Sequence, residues 1–295
     1  MATRRQKAKI KRAVVLALTV IVSIGIAVGA IYGINALINY GDSGDDNATS
    51  KVQGNKEDEK DKGGNAVDNK GDENGSKKPT DDYDPDNKEI ITDKNGVQLD
   101  ANFRRVLLVN GDNPLPDDYD TNIRKDLVTI DQKYRNNNYV TDIHKDVYPY
   151  ITAMVAAANA DGVDLKVWSP FRSYAIQKDL FQKQVNRVGG DEEKAATVVA
   201  RPGTSEHNTG LCADFNMASD SFEKTKMFTW MMENAEDYGF ILRYPKDKID
   251  VTGVIYESWH WRFVGINTAK EINEMGVTLE EYVEIKKIDW KSELN

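Results

Sequence analysis

A single cysteine, Cys212, in 295 residues excludes an internal disulfide. That is compatible with export without requiring it. Histidine is nearly as scarce, with only His144, His207 and His260. Positive charge is in deficit: 39 lysines and arginines stand against 48 acids, a net charge of −9. No basic stripe offsets this, which argues against a nucleic-acid partner. Internal repeats are absent too. Two stretches lack one class of residue altogether. Residues 13–34 carry no charge, and residues 41–88 hold almost nothing apolar.

The uncharged run follows a tail, 1–12, with six bases and no acid. Twenty-two residues as a helix span about 33 Å, the thickness of a bilayer core. The flanking bases predict a single-pass anchor over 13–38 in the cell membrane, N-terminus cytoplasmic and the rest outside. A cleaved signal peptide is the competitor, but its apolar core is usually only about 7–15 residues long. Residues 41–88, rich in Gly, Asp, Asn and Lys, cannot bury enough surface to offset chain entropy and read as a disordered acidic and polar linker. A coil of that length reaches roughly 40 Å.

Apolar periodicity returns in 89–287, read as the folded domain, with 288–295 as a C-terminal tail. Val147, Ile151, Met154, Val155 and Ala158 recur at helical spacing over 145–160, and Gly162 ends the run. Ser173 can cap a helix to 188 with Leu180, Phe181 and Val185 facing inward, and Asp191 another. Asp220 or Ser221 opens a longer helix ending at Gly239. Helices over 268–275 and 278–285 close the chain, the second with a Thr278–Glu281 capping box. Strands are expected over 165–169, 211–215, 240–244 and 259–264. Helices and strands without regular βαβ alternation predict an α+β fold, a small, mostly antiparallel sheet flanked by helices.

The chemistry gathers in 201–214, which carries Ser205, His207, Gly210 and Asp214. As a helix, this segment would hold His207 and Asp214 roughly 10 Å apart along the axis. Donors about 2 Å from one zinc cannot be that far apart, so the segment must turn, as Pro202, Gly203 and Gly210 allow. His260 lies in an aromatic strand-like run, three residues after Glu257. On a regular strand those two would point to opposite faces, so Glu257 must sit in a turn or bulge to share a site. Two histidines, one carboxylate and a position left for water make a catalytic zinc set rather than a structural one. Glu257 is then free to act as general base on that water, and Arg172 is the candidate to hold charge on the carbonyl oxygen.

Ser-x-His-x-x-Gly-x-x-x-Asp at 205–214, followed by Glu-x-Trp-His-x-Arg at 257–262, resembles the VanY-type D-alanyl-D-alanine carboxypeptidases of the wider LAS group of zinc peptidases. The likeness takes in 107–116, 169–177 and 238–245, covering about residues 100–282. It implies one Zn2+ per chain on His207, Asp214 and His260, with Ser205 and Gln177 orienting substrate. It also implies removal of the terminal D-alanine from peptidoglycan stem peptides or their precursors. An endopeptidase cutting within stem or cross-bridge peptides keeps the same chemistry. An inactive wall-binding module is opposed by the presence of both Glu257 and Arg172. Departures are Pro170 and Phe171 in place of a common Gly-Tyr, and Cys212 where alanine is frequent. Strand alternation puts Cys212 on the face of Asp214, although a small buried apolar residue is the simpler expectation. His144 matches no motif and reads as structural. Trp168, Trp259 and Trp261 read as core or pocket wall.

Overall fold

The computed structural model describes residues 81 and 83–294. The expected anchor and all but the last few residues of the expected linker lie outside them. Among the described residues no helix is long and apolar enough to cross a membrane.

Two small antiparallel pairs come first: β1 (Ile90–Thr92) with β2 (Gln98–Asp100), and β3 (Leu127–Thr129) with β4 (Asp142–His144). The principal sheet has four strands, β5 (Val167–Ser169), β6 (Cys212–Phe215), β7 (Phe240–Leu242) and β8 (His260–Phe263), in the order β5-β6-β8-β7. Every pairing in it is antiparallel. Five helices of eight or more residues flank it among the described residues: α1 (Tyr148–Ala160), α2 (Tyr174–Arg187), α3 (Lys226–Asn234), α4 (Ile266–Met275) and α5 (Leu279–Lys286). The fold is α+β.

Local signals explain most boundaries. Ser173 accepts from the Ile176 N–H and starts α2, Asp191 does the same for Glu192–Ala196, and Thr278 and Glu281 form the reciprocal capping box of α5. The long helix expected over 220–239 is instead three pieces: a 3-10 turn Asp220–Lys224, α3, and a 3-10 turn Ala235–Tyr238. Thr225 breaks it. Its backbone is extended, at φ −95° and ψ 158°, and its hydroxyl takes the Phe228 N–H. The expected tail is also folded: Trp290–Leu294 forms a 3-10 turn, and Glu293 accepts from the Val106 N–H at 2.7 Å.

What positions the site is the register of β6 on β8. Asp214 opposes His260, Ala213 opposes Trp261 and Cys212 opposes Arg262. Opposed residues share a face and alternate residues swap faces. One face of this pair is therefore apolar, with Ala213, Phe215, Trp261 and Phe263 packed into the main core. The other carries Cys212, Asp214, His260 and Arg262, and all four are buried. Burying a polar face is costly unless its groups meet partners, so the covering loop is chemically constrained.

That loop is 201–210, and its turn needs Gly210. With φ at +65°, a Cβ there would lie 2.8 Å from the His144 backbone nitrogen, whose N–H donates to the Gly210 carbonyl. Left-handed backbone and overpacking together put the expected cost of Gly210→Ala at about 2–5 kcal/mol. Thermal unfolding should show the loss, and metal retention should fall with it. A variant as stable as wild type would remove this account of the glycine. His144 is structural, as expected. It is buried beside Arg105 at 3.0 Å, and burial pushes its pKa down to about 4.

Candidate metal centre and active site

The segment between His207 and Asp214 turns as the chemistry requires. A 3-10 turn, Glu206–Thr209, ends at left-handed Gly210, and β6 begins at Cys212. His207 is fixed by the segment that follows β5: its Nδ1 donates to the Pro170 carbonyl at 2.7 Å. Arg172 N–H donates to the His207 carbonyl at 2.9 Å, and Asn208 Nδ2 returns to the Arg172 carbonyl at 2.7 Å. The segment 170–172 is thereby strapped across the histidine. Asn208, two residues before Gly210, reads in the sequence as ordinary turn chemistry.

With Nδ1 protonated, a neutral His207 presents a bare lone pair at Nε2. That atom is buried without a hydrogen-bond partner and faces Asp214 Oδ1 at 3.4 Å. His260 Nδ1 faces the same oxygen at 3.2 Å. Donors about 2.0–2.2 Å from one tetrahedral metal stand roughly 3.3–3.6 Å apart, close to these spacings. Lone pairs converging on one carboxylate oxygen repel unless a cation or added protons lie between them. In the metal-free protein the surroundings favour the protonated rings. Burial works to lower the pKa of both rings, yet Cys212 and Asp214 overcome it and both are raised. The donor set thus fits a divalent metal of zinc's size and ligand preference.

Glu257 sits where the argument needs it. The His260 N–H donates to the Glu257 carbonyl across a tight turn before β8, which brings Glu257 Oε2 to 3.8 Å from His260 Nδ1. It is not part of the closest donor set. Burial pushes its pKa up to about 7, in the range of a working general base. Arg172 Nη2 lies 3.8 Å from Asp214 Oδ2, and its buried Nε has no partner. Ser205 is buried and its side chain does not cap the turn. Gln177 is also buried. Its Nε2 donates to the Ala200 carbonyl at 2.7 Å, leaving Oε1 unpartnered. Any substrate contact by Gln177 therefore falls to Oε1.

Cys212 is fully buried, and its sulfur belongs to a second cluster: donor atoms of His207, Cys212 and His260 lie within 4.8 Å of one another. Two triads thus share the histidines. The aspartate triad has the spacing of common ligands, whereas 4.8 Å is only an outer bound for the thiol. A thiolate in the fourth position would also close the site to water. Cys212→Ala is accordingly expected to keep metal stoichiometry and activity, and Asp214→Ala to lose both; metal analysis after dialysis distinguishes the two. Of the tryptophans, Trp261 is buried, whereas Trp168 is 38% exposed on the outer face of β5 and belongs to no core.

Glu206 and Arg243, together with Arg262 of the Glu-x-Trp-His-x-Arg motif, are essentially inaccessible, and the sequence assigned none of them a role. Their signal was present, since β7 and β8 each run into an arginine within an apolar stretch and Glu206 is the one acid between Ser205 and His207.

A family model described as "VanY: D-alanyl-D-alanine carboxypeptidase" matches residues 140–266. The putative carboxypeptidase YodJ of Bacillus subtilis is 39% identical over 203 residues, 65% of this chain and 72% of that protein. A D-alanyl-D-alanine carboxypeptidase of Enterococcus faecalis is 34% identical over 210 residues, 69% of this chain and 74% of its own. Among solved structures, the LdcB LD-carboxypeptidase superposes with a TM-score of 0.55 at 36% identity, covering 67% of this chain and 94% of that one. A vancomycin resistance D,D-pentapeptidase VanY variant in complex with Zn(II) gives a TM-score of 0.50 at 36% identity, covering 60% and 98%. With that identity over most of a relative's length, and with the motif residues brought to one buried point, the chain belongs to the VanY family of D-alanyl-D-alanine carboxypeptidases and is a zinc metallopeptidase.

Proposed function

We propose that this protein removes the terminal D-alanine from peptidoglycan stem peptides ending in D-Ala-D-Ala. The observation that carries the reading is the placement of Glu257: a buried carboxyl with its pKa near 7, in a turn that aims it beside two histidines and an aspartate but outside their closest set. Zinc held by His207, Asp214 and His260, one per chain, would polarise the scissile carbonyl and lower the pKa of its water. Glu257 takes the proton of the attacking water and passes it to the leaving amine of D-alanine. Arg172 holds the negative charge that grows on the carbonyl oxygen, its unpartnered Nε being free for that bond. Ser205 and Gln177 Oε1 orient the terminal residue of the substrate.

The uncharged run 13–34 behind six bases supports a cell-membrane anchor with the catalytic domain outside, and 41–88 a tether that lets the enzyme reach nearby wall. The name of the Enterococcus relative supports the D,D bond. The similarity to an LD-carboxypeptidase favours a second reading, in which the bond lies one residue further in. Product analysis of the full-length protein with defined muropeptide pentapeptide and tetrapeptide decides. Free D-alanine and tetrapeptide from the pentapeptide alone support the proposal. D-alanine from the tetrapeptide selects the L,D reading, and an internal cut selects an endopeptidase.

A further inference from the structure

Glu206 lies between the substrate-orienting Ser205 and the ligand His207, and its side chain is wholly buried. A lone buried carboxylate is costly, so its partners define its task. Oε1 accepts from Arg243 Nε and Arg262 Nη1, each at 2.7 Å. Oε2 faces His260 Nε2 at 3.4 Å. Arg262 stands two residues beyond His260 on the same face of β8, and the Arg243 N–H donates to the His260 carbonyl. The carboxylate therefore joins the turn that carries one metal ligand to the strand that carries another.

Charge balance sharpens the point. Arg243 forks onto Glu280 of α5 at 2.6 and 2.8 Å, and Arg262 Nη2 donates to the Leu107 carbonyl at 2.7 Å. Two carboxylates meet two guanidiniums, so Glu206 and its arginines are balanced among themselves. With a metal held at Nδ1, which faces Asp214 Oδ1 at 3.2 Å, the ring would carry its one proton on Nε2, the nitrogen that faces Glu206. A ligating imidazole whose second nitrogen donates to a carboxylate has its tautomer and orientation set by that bond.

We propose that Glu206 is a positioning residue of the metal centre, fixing the Nε2–H tautomer of His260 and tying it to the His207 turn. The inference rests on His260 being a metal ligand, and the test separates the two. In the zinc-loaded full-length protein, imidazole nitrogen NMR should place the His260 proton on Nε2, in slow exchange with solvent. Glu206→Ala should weaken zinc binding by about 10- to 100-fold and shift the ligand-field spectrum of the cobalt-substituted protein. Glu206→Gln, whose amide oxygen still accepts from Nε2–H, should recover part of both. A proton found on Nδ1 in the wild type overturns the proposal even if the alanine variant fails to fold. So does a folded Glu206→Ala with wild-type zinc affinity and cobalt spectrum. His260→Ala serves as reference: if it retains zinc, the ligand assignment itself is wrong, a failure distinct from that of Glu206.

Discussion

Full-length protein carrying Glu257→Gln is expected to bind zinc as the wild type does and to turn over substrate about 10²- to 10⁴-fold more slowly. In barrier terms that is roughly 3–5.5 kcal/mol. Glutamine keeps the shape and the hydrogen-bonding reach of the side chain, so the turn before β8 should survive, and only the capacity to take a proton is lost. Zinc content should not change, because Glu257 Oε2 is 3.8 Å from His260 Nδ1 while Asp214 Oδ1 is at 3.2 Å. The base works only as a carboxylate, and burial raises its pKa to about 7 in the metal-free protein. Activity must therefore fall as pH drops through that pKa. A cation beside it favours the charged form and places the acid limb of kcat/KM below pH 7. Residual activity of the glutamine variant should lack that limb. Metal loss, or unchanged turnover, would remove Glu257 as the base.

Arg172→Met should cost about 100- to 1000-fold in kcat, the usual loss for one oxyanion donor. Methionine keeps much of the stem and removes the charge, so a packing defect is not the expected cause. The backbone of residue 172 should stay in place, since its N–H and carbonyl are held by His207 and Asn208. Lysine should rescue poorly, because a point charge does not reproduce the planar fork. The guanidinium also favours the carboxylate form of Glu257. Its removal should therefore move the acid limb upward, a shift that loss of a mere packing residue would not produce. Steady-state kinetics across pH, with zinc content measured in parallel, checks both effects. A fall confined to KM would make Arg172 a binding residue only.

How much of this was legible beforehand depends on the range of the interaction involved. Capping residues act within a turn of their own position, so Ser173, Asp191 and Thr278 marked helix starts that the structure contains. The demand that His207 and Asp214 approach one point implied a turn between them, and Gly210 supplies it. Likewise the spacing of Glu257 from His260 implied a break before the strand, and β8 does begin at His260. The break at Thr225 is not legible in the same way, because apolar periodicity on both sides of it masks a residue whose hydroxyl prefers to cap.

Residue chemistry and short spacings, then, determined the kind of fold, the candidate ligand types and the need for two local turns. Tertiary structure alone decided that Glu206 meets Arg243 and Arg262, 37 and 56 residues away, and that His207 Nδ1 is occupied by the Pro170 carbonyl. It also decided that Cys212 lies beside both histidines, through the pairing of β6 with β8. A buried charge reveals its partner only when strand register brings the two together, because its desolvation cost is met by whichever group stands opposite and not by its neighbours in sequence.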